Sequence, residues 1–173
     1  MATTYTLIDK SILGSSQASL TFSSIPNTYT DLLVLLSLRS SQGSVVDTPK
    51  MRFNGATDDS NLKTIRLMGN GSSASSSTVT TALLLTRCPG ASATANTFGN
   101  IQVYIPNYNS SNNKSVSIDQ VSPSNDSSVD GVTSLMAGLF TTSSAISSLT
   151  VLSDNAANFV SGSSFYLYGI KNS

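Results

Sequence analysis

The sequence predicts an all-β protein, an antiparallel two-sheet sandwich built as one domain over residues 1–173. Three observations predict it. The chain has no Glu and only modest Lys and Ala, so the strong helix formers are scarce. Val, Ile, Thr, Tyr and Phe recur in short bursts, which suits pleated, half-buried strands. Clusters of Ser, Asn, Gly and Asp separate the bursts, and these residues supply turns by tolerating positive φ or by bonding their own backbone.

The elements follow in order. Residues 4–12 read as a first strand, and 19–24 as a second, with Leu20 and Phe22 alternating with polar neighbours. Residues 31–39 form the most apolar strand, expected to be central with both faces covered. Residues 50–53 are a short strand ended by Asn54-Gly55, a strong turn signal. Residues 62–68 alternate and close at Asn70-Gly71, and 72–77 read as a polar loop. Residues 78–87 read as a strand ended by Pro89-Gly90, and 98–105 alternate through Ile101, Val103 and Ile105 up to Pro106. Strands at 115–121, 132–140, 146–152 and 163–170 complete the set. About eleven strands spaced by roughly 10–15 residues are the pattern of a sandwich. Helix is expected only in short pieces, around 27–30 or 143–146.

Composition narrows the chemistry. Only 10% of the 173 residues are charged, nine acidic and nine basic, and the formal net charge is zero. Ser, Thr and Asn together number 68, and there is no His and no Trp. Without His there is no imidazole to act as general base or metal ligand. Few basic residues and no net charge argue against nucleic acid as partner. The single Cys can form neither an internal disulfide nor a multi-thiolate zinc site. The longest apolar run, 32–36, falls far short of the roughly 20 residues of a membrane-spanning helix. The N-terminal residues carry neither a basic stretch nor a long apolar run, so no cleaved secretory signal is expected.

Few constellations could carry chemistry. Asp58-Asp59 is the one adjacent acidic pair and reads either as oxygen ligands for a hard cation or as a solvated loop tip; the spacing of a calcium loop is missing. Asp119, Asp126, Asp130 and Asp154 are the acids from which a two-carboxylate glycosidase site would have to be drawn, but no spacing marks a pair. Cys88 has no His to activate it and reads as a small hydrophobe at a strand end. No catalytic, metal or cofactor-binding residue is therefore assigned.

Two groups remain as candidate interaction surface. Lys50, Arg52, Lys63 and Arg66 gather four of the nine basic residues in a short stretch. Period-two spacing puts Lys50 and Arg52 on one face, while Lys63 and Arg66 have opposite parity. They read as a basic patch for an acidic partner, or as an ordinary exposed face countered by Asp47, Asp58 and Asp59. Tyr166 and Tyr168 share one face, with Phe165 and Leu167 on the other; with Tyr104 and Tyr108 they could stack on sugars or anchor an interface.

Several segments also carry a resemblance: 22–32 (FSSIPNTYTDL), 52–55 (RFNG), 69–73 (GNGSS), 95–99 (ANTFG), 105–108 (IPNY) and 165–170 (FYLYGI). In this order, through most of the chain, they resemble the small β-rich structural proteins of tailed bacteriophages, those of marine and cyanobacterial phages above all. The resemblance implies a jelly-roll-like domain of about 8–11 strands in a virion, and transfers no active residue. The expected role is a capsid decoration (cement) protein, not an enzyme. It would be made in the host cytoplasm, bind the major capsid protein and copies of itself, with a trimer as the expected oligomer, and use no cofactor, nucleic acid or membrane. The alternative is a tail fibre or spike-associated module that binds a receptor glycan.

Overall fold

The computed structural model of the chain describes residues 4–123 and 131–171. Among them are fourteen strands and no helix. In chain order these are β1 (Tyr5–Ile12), β2 (Ser19–Phe22), β3 (Asp31–Leu38), β4 (Val46–Asp47), β5 (Pro49–Phe53), β6 (Leu62–Gly69), β7 (Ala74–Val79), β8 (Leu83–Leu84), β9 (Cys88–Pro89), β10 (Gly99–Ile105), β11 (Lys114–Ser122), β12 (Val132–Phe140), β13 (Leu149–Ser153) and β14 (Ser164–Ile170). A large sheet runs β1-β14-β3-β10-β11-β12-β6-β7, a small one runs β2-β13-β5-β8, and β4 pairs with β9. Every pairing is antiparallel. The chain alternates between the sheets: β1, β3, β10 and β14 lie in the large one, and β2, β5, β8 and β13 in the small one.

One core lies between the sheets, and alternation selects it. Leu32, Val34, Leu36 and Leu38 of β3, Ile101, Val103 and Ile105 of β10, and Phe165 and Leu167 of β14 point inward. Met51 and Phe53 of β5 and Leu149 and Val151 of β13 meet them from the small sheet. The Phe53 and Phe140 rings, one from each sheet, sit 5.0 Å apart in a tilted contact. Gly138 of β12 is small for a reason: a Cβ there would lie 2.2 Å from Leu83 Cδ1 of β8. Thr64 adds a polar tie, its hydroxyl donating to the Ala82 carbonyl at 2.8 Å and accepting from the Leu84 N–H at 3.1 Å.

Four expectations need correction. Residues 74–79 are strand β7, not loop: Asn70-Gly71 turns the chain back onto β6, and Ser and Thr serve well on an edge open to water. Residues 78–87 do not form one strand. Thr78 and Val79 end β7 against β6, and beyond them only Leu83–Leu84 pairs, because residues 82–85 run through the interior with all four side chains buried and Thr86 turns left-handed at φ 64°. Residues 27–30 and 143–146 contain no helix. β3 lies inside the large sheet, but Leu33, Leu35 and Ser37 on its second face are only half-buried.

Candidate functional site

The outer face of the large sheet is the most unusual surface of the molecule. Among the described residues, the large hydrophobic side chains that are exposed all sit on it: Tyr5, Leu7 and Ile12 of β1, Ile65 and Leu67 of β6, Val121 of β11 and Leu135 of β12. Their exposure runs from 44% (Leu7) to 62% (Ile12), far from core values. They fall in two groups, one on β1 and one on β6, β11 and β12, with exposed Asn100, Gln102, Ser117 and Asp119 on β10 and β11 between them; grouped exposed apolar side chains mark a binding site more often than single ones do. Half-buried Leu33, Leu35, Tyr166 and Tyr168 continue the face across β3 and β14.

Register explains how these side chains come together. Antiparallel pairing sets partners on the same face. Leu67 pairs Leu135, Leu135 pairs Asp119, and Asp119 pairs Gln102. The row continues through Leu35 to Tyr166 and Lys10. One row along, Ile65 pairs Ala137, Ser117 pairs Tyr104, and Leu33 pairs Tyr168. On β1 a bulge between Leu7 and Asp9 shifts the alternation, turning Ile8 to the core and leaving Leu7, Lys10 and Ile12 outward. On β6 and β12 the polarity is inverted: Thr64 and Ser134 are buried, whereas Ile65, Leu67 and Leu135 face out.

The face is open rather than hollow. Three shallow depressions on it, about 360, 370 and 440 Å³, are lined by residues around Leu67, Gln102, Asp119 and Leu135. Away from this face, a hollow of about 190 Å³ lies at one end of the sandwich between Asn54, Asp58, Phe140 and Thr142, and a shallow one of about 370 Å³ lies beside Lys50 and Asp154.

The four basic candidates do not form one patch. Lys50 and Arg52 stand together on the outer side of the small sheet, whereas Lys63 and Arg66 belong to β6 in the large sheet and point to opposite faces. Lys50 Nζ lies 2.9 Å from Asp59 Oδ2 and 2.8 Å from Asp154 Oδ1. Arg52 donates from Nε to Asp59 Oδ1 at 2.7 Å and from Nη2 to Oδ2 at 3.1 Å. The bond from Arg52 holds the Asp59 carboxyl below the usual carboxylate range, against the effect of burial. Burial works against the Lys50 charge, but the bonds from Asp154 and Asp59 outweigh it and its pKa is raised. Of the three expected counter-charges only Asp59 contacts these bases directly. Asp47 is buried elsewhere, accepting from Ser153 Oγ, Asn155 Nδ2 and the Thr48 N–H.

The remaining candidates fall into place individually. Asp58 is a turn residue whose carboxylate accepts from the Ser60 hydroxyl and N–H, which lowers its pKa. Asp119 lies on the outer face of the large sheet and Asp154 beside Lys50 at the small sheet, so the two do not face each other across a cleft. Asp126 and Asp130 lie outside the described residues. Tyr108 is a core residue, 1% exposed, with its hydroxyl donating to the Pro26 carbonyl. Tyr104 stays on the outer face and donates its hydroxyl to Asp31 Oδ2 at 2.8 Å. Cys88 is fully buried, and burial raises its thiol pKa. Among the described residues no three His, Cys, Asp or Glu side chains gather as a metal-binding set.

Two buried cations escaped the sequence reading. Lys114, 1% exposed, donates to the carbonyls of Ser110, Asn112 and Ser144 at 2.7 Å and of Thr142 at 3.4 Å. Arg39 spreads its guanidinium over the carbonyls of Ala91, Ala93, Thr94 and Thr97. Both fasten loops with backbone oxygens in place of a carboxylate. No known family model, curated protein or solved structure matches this chain.

Proposed function

We propose that this protein is a virion structural protein of tailed bacteriophages, a capsid decoration protein that binds the assembled head shell together with copies of itself. The observation that carries the reading is the set of exposed apolar side chains gathered on the outer face of the large sheet, which suits contact with another protein surface. We read the alternation of β1, β2, β3, β5, β8, β10, β13 and β14 between facing sheets as jelly-roll connectivity, with β6-β7 and β11-β12 as hairpins that widen one sheet. In this reading the protein is not an enzyme. It acts by mass action: a domain that binds the finished lattice but not free coat protein stabilises the lattice in proportion to its occupancy.

The test is to strip the protein from purified particles, add it back, and follow heat resistance of the heads. Decoration predicts that resistance falls on stripping and returns on addition; unchanged resistance contradicts it. A second reading, a receptor-binding module of a tail fibre or spike, draws on Tyr104, Tyr166 and Tyr168 standing on the same face as Asn100 and Gln102, since such tyrosines can stack on sugar rings. Saturable binding of the isolated protein to a host glycan, abolished by Tyr166→Ala, would favour that reading.

A further inference from the structure

The geometry points to a two-fold dimer of this chain, in which the outer faces of two large sheets pack on each other about an axis parallel to the strands between β10 and β11. The inference rests on reading that face as a protein-binding surface, and it names the occupant as a second copy. A two-fold contact requires a self-complementary surface, where each residue meets a different one that suits it. Measured outward from the β10–β11 boundary, the apolar positions of β3 and β14 on one side answer those of β12 and β6 on the other.

Gln102 and Asp119 flank the boundary in one row. One strand out on either side stand Leu35 of β3 and Leu135 of β12. One strand further stand Tyr166 of β14 and Leu67 of β6. A half-turn about the boundary therefore lays Gln102 over the partner's Asp119, Leu35 over its Leu135, and Tyr166 over its Leu67. In the neighbouring row Leu33 falls over Ala137 and Tyr168 over Ile65, while Tyr104 falls over Ser117 and Leu7 over Thr78 at the β7 edge.

Charge selects this axis over the other. A half-turn about an axis across the strands along the same row would set Asp119 over Asp119 and Lys10 over Lys10, which costs like-charge repulsion. In the arrangement along the strands Asp119 meets an amide that can donate to it, and Lys10 falls over Ser76 at the polar β7 edge. Size is also sufficient. Eight strands about 4.8 Å apart, about six residues long at about 3.4 Å per residue, make a plane of roughly 700 Å², and corrugation by side chains adds to it. A standard stable interface takes about 800 Å² from each partner.

The test is the mass of the full chain in solution by sedimentation or light scattering. Wild type should run at twice the 18.0 kDa of one chain. Leu35→Lys and Leu135→Asp should each run at the single-chain mass, with wild-type circular dichroism, because both positions point outward. Mixing the two variants should restore the double mass, since the lysine introduced in one copy would then face the aspartate introduced in the other. A wild type that runs as one or three chains overturns the inference. So does a dimer that survives both charges, which would place the contact elsewhere, as at the unpaired edge of β7. A mixture that stays apart overturns the axis and the dimer defined by it. Binding to stripped particles separates this from the functional reading. A monomer that binds particles leaves decoration standing and removes the dimer; a dimer that binds none does the reverse.

Discussion

At the scale of single residues, buried charge is handled by backbone oxygens. Lys114 looks in the sequence like any other lysine between polar neighbours. Its partners come from 110 and 112 on one side and 142 and 144 on the other, so only the folded chain shows the cage. Replacing it with Met would keep the bulk and leave those carbonyls without their donor. Each buried polar group left unsatisfied costs about 1–3 kcal/mol. Lys114→Met should therefore destabilise the protein by roughly 2–4 kcal/mol, read as a lower urea midpoint with an unchanged slope. Asp59 gives a pH signature. Its folded pKa lies below the ordinary 3.8, so its contribution is present above that value and is lost as the pH falls through the folded pKa. Asp59→Asn should melt lower at neutral pH than wild type and should lose less stability between about pH 5 and pH 2. A variant that matches wild type in acid sensitivity would remove Asp59 from the account.

At the scale of elements, alternation was legible wherever one side of a strand is plainly apolar. Residues 98–105 and 163–170 announce β10 and β14 by their period, and Phe165 and Leu167 point inward as the spacing implies. The period misleads where both sides are apolar or both are polar. β7 is all small polar residues and an alanine until Val79, so nothing in it distinguishes an edge strand from a loop. Residues 82–85 are apolar without alternation because they cross the interior. On β6 the larger pair, Ile65 and Leu67, faces out while Thr64 faces in, a choice set by the hydroxyl bond that Thr64 makes toward β8. The two sheets come close together at Gly138. A methyl group there meets Leu83 Cδ1 at 2.2 Å and Val116 Cβ at 3.1 Å. Leu83 is fully buried and has little room to move. Gly138→Ala should cost about 1–3 kcal/mol by overpacking, and it should cost less when introduced into a Leu83→Ala background than into wild type. An additive double variant would show that the two sites do not touch.

At the scale of the whole molecule, the absence of His and Glu, the neutral charge and the Ser, Thr and Asn excess all described a protein with little enzymatic equipment, and the fold adds what composition could not: where the exposed apolar surface lies. The candidate site was only partly legible. Tyr166 and Tyr168 were found by spacing, but Leu35 lies in a strand expected to be covered on both faces, and Ile65, Leu67 and Leu135 were not singled out, because a sequence shows that a row is apolar and not which side of the sheet it covers. The basic candidates proved to be divided between two sheets, with Lys50 and Arg52 committed to Asp59 and Asp154. Under the proposed function, this sandwich is a building element of a particle, bound through its surface to a protein shell. Labelling intact virions with an antibody to the protein tests that directly. The account predicts label spread over the head shell, and label confined to the tail or its fibres, or absent from the particle, would contradict it.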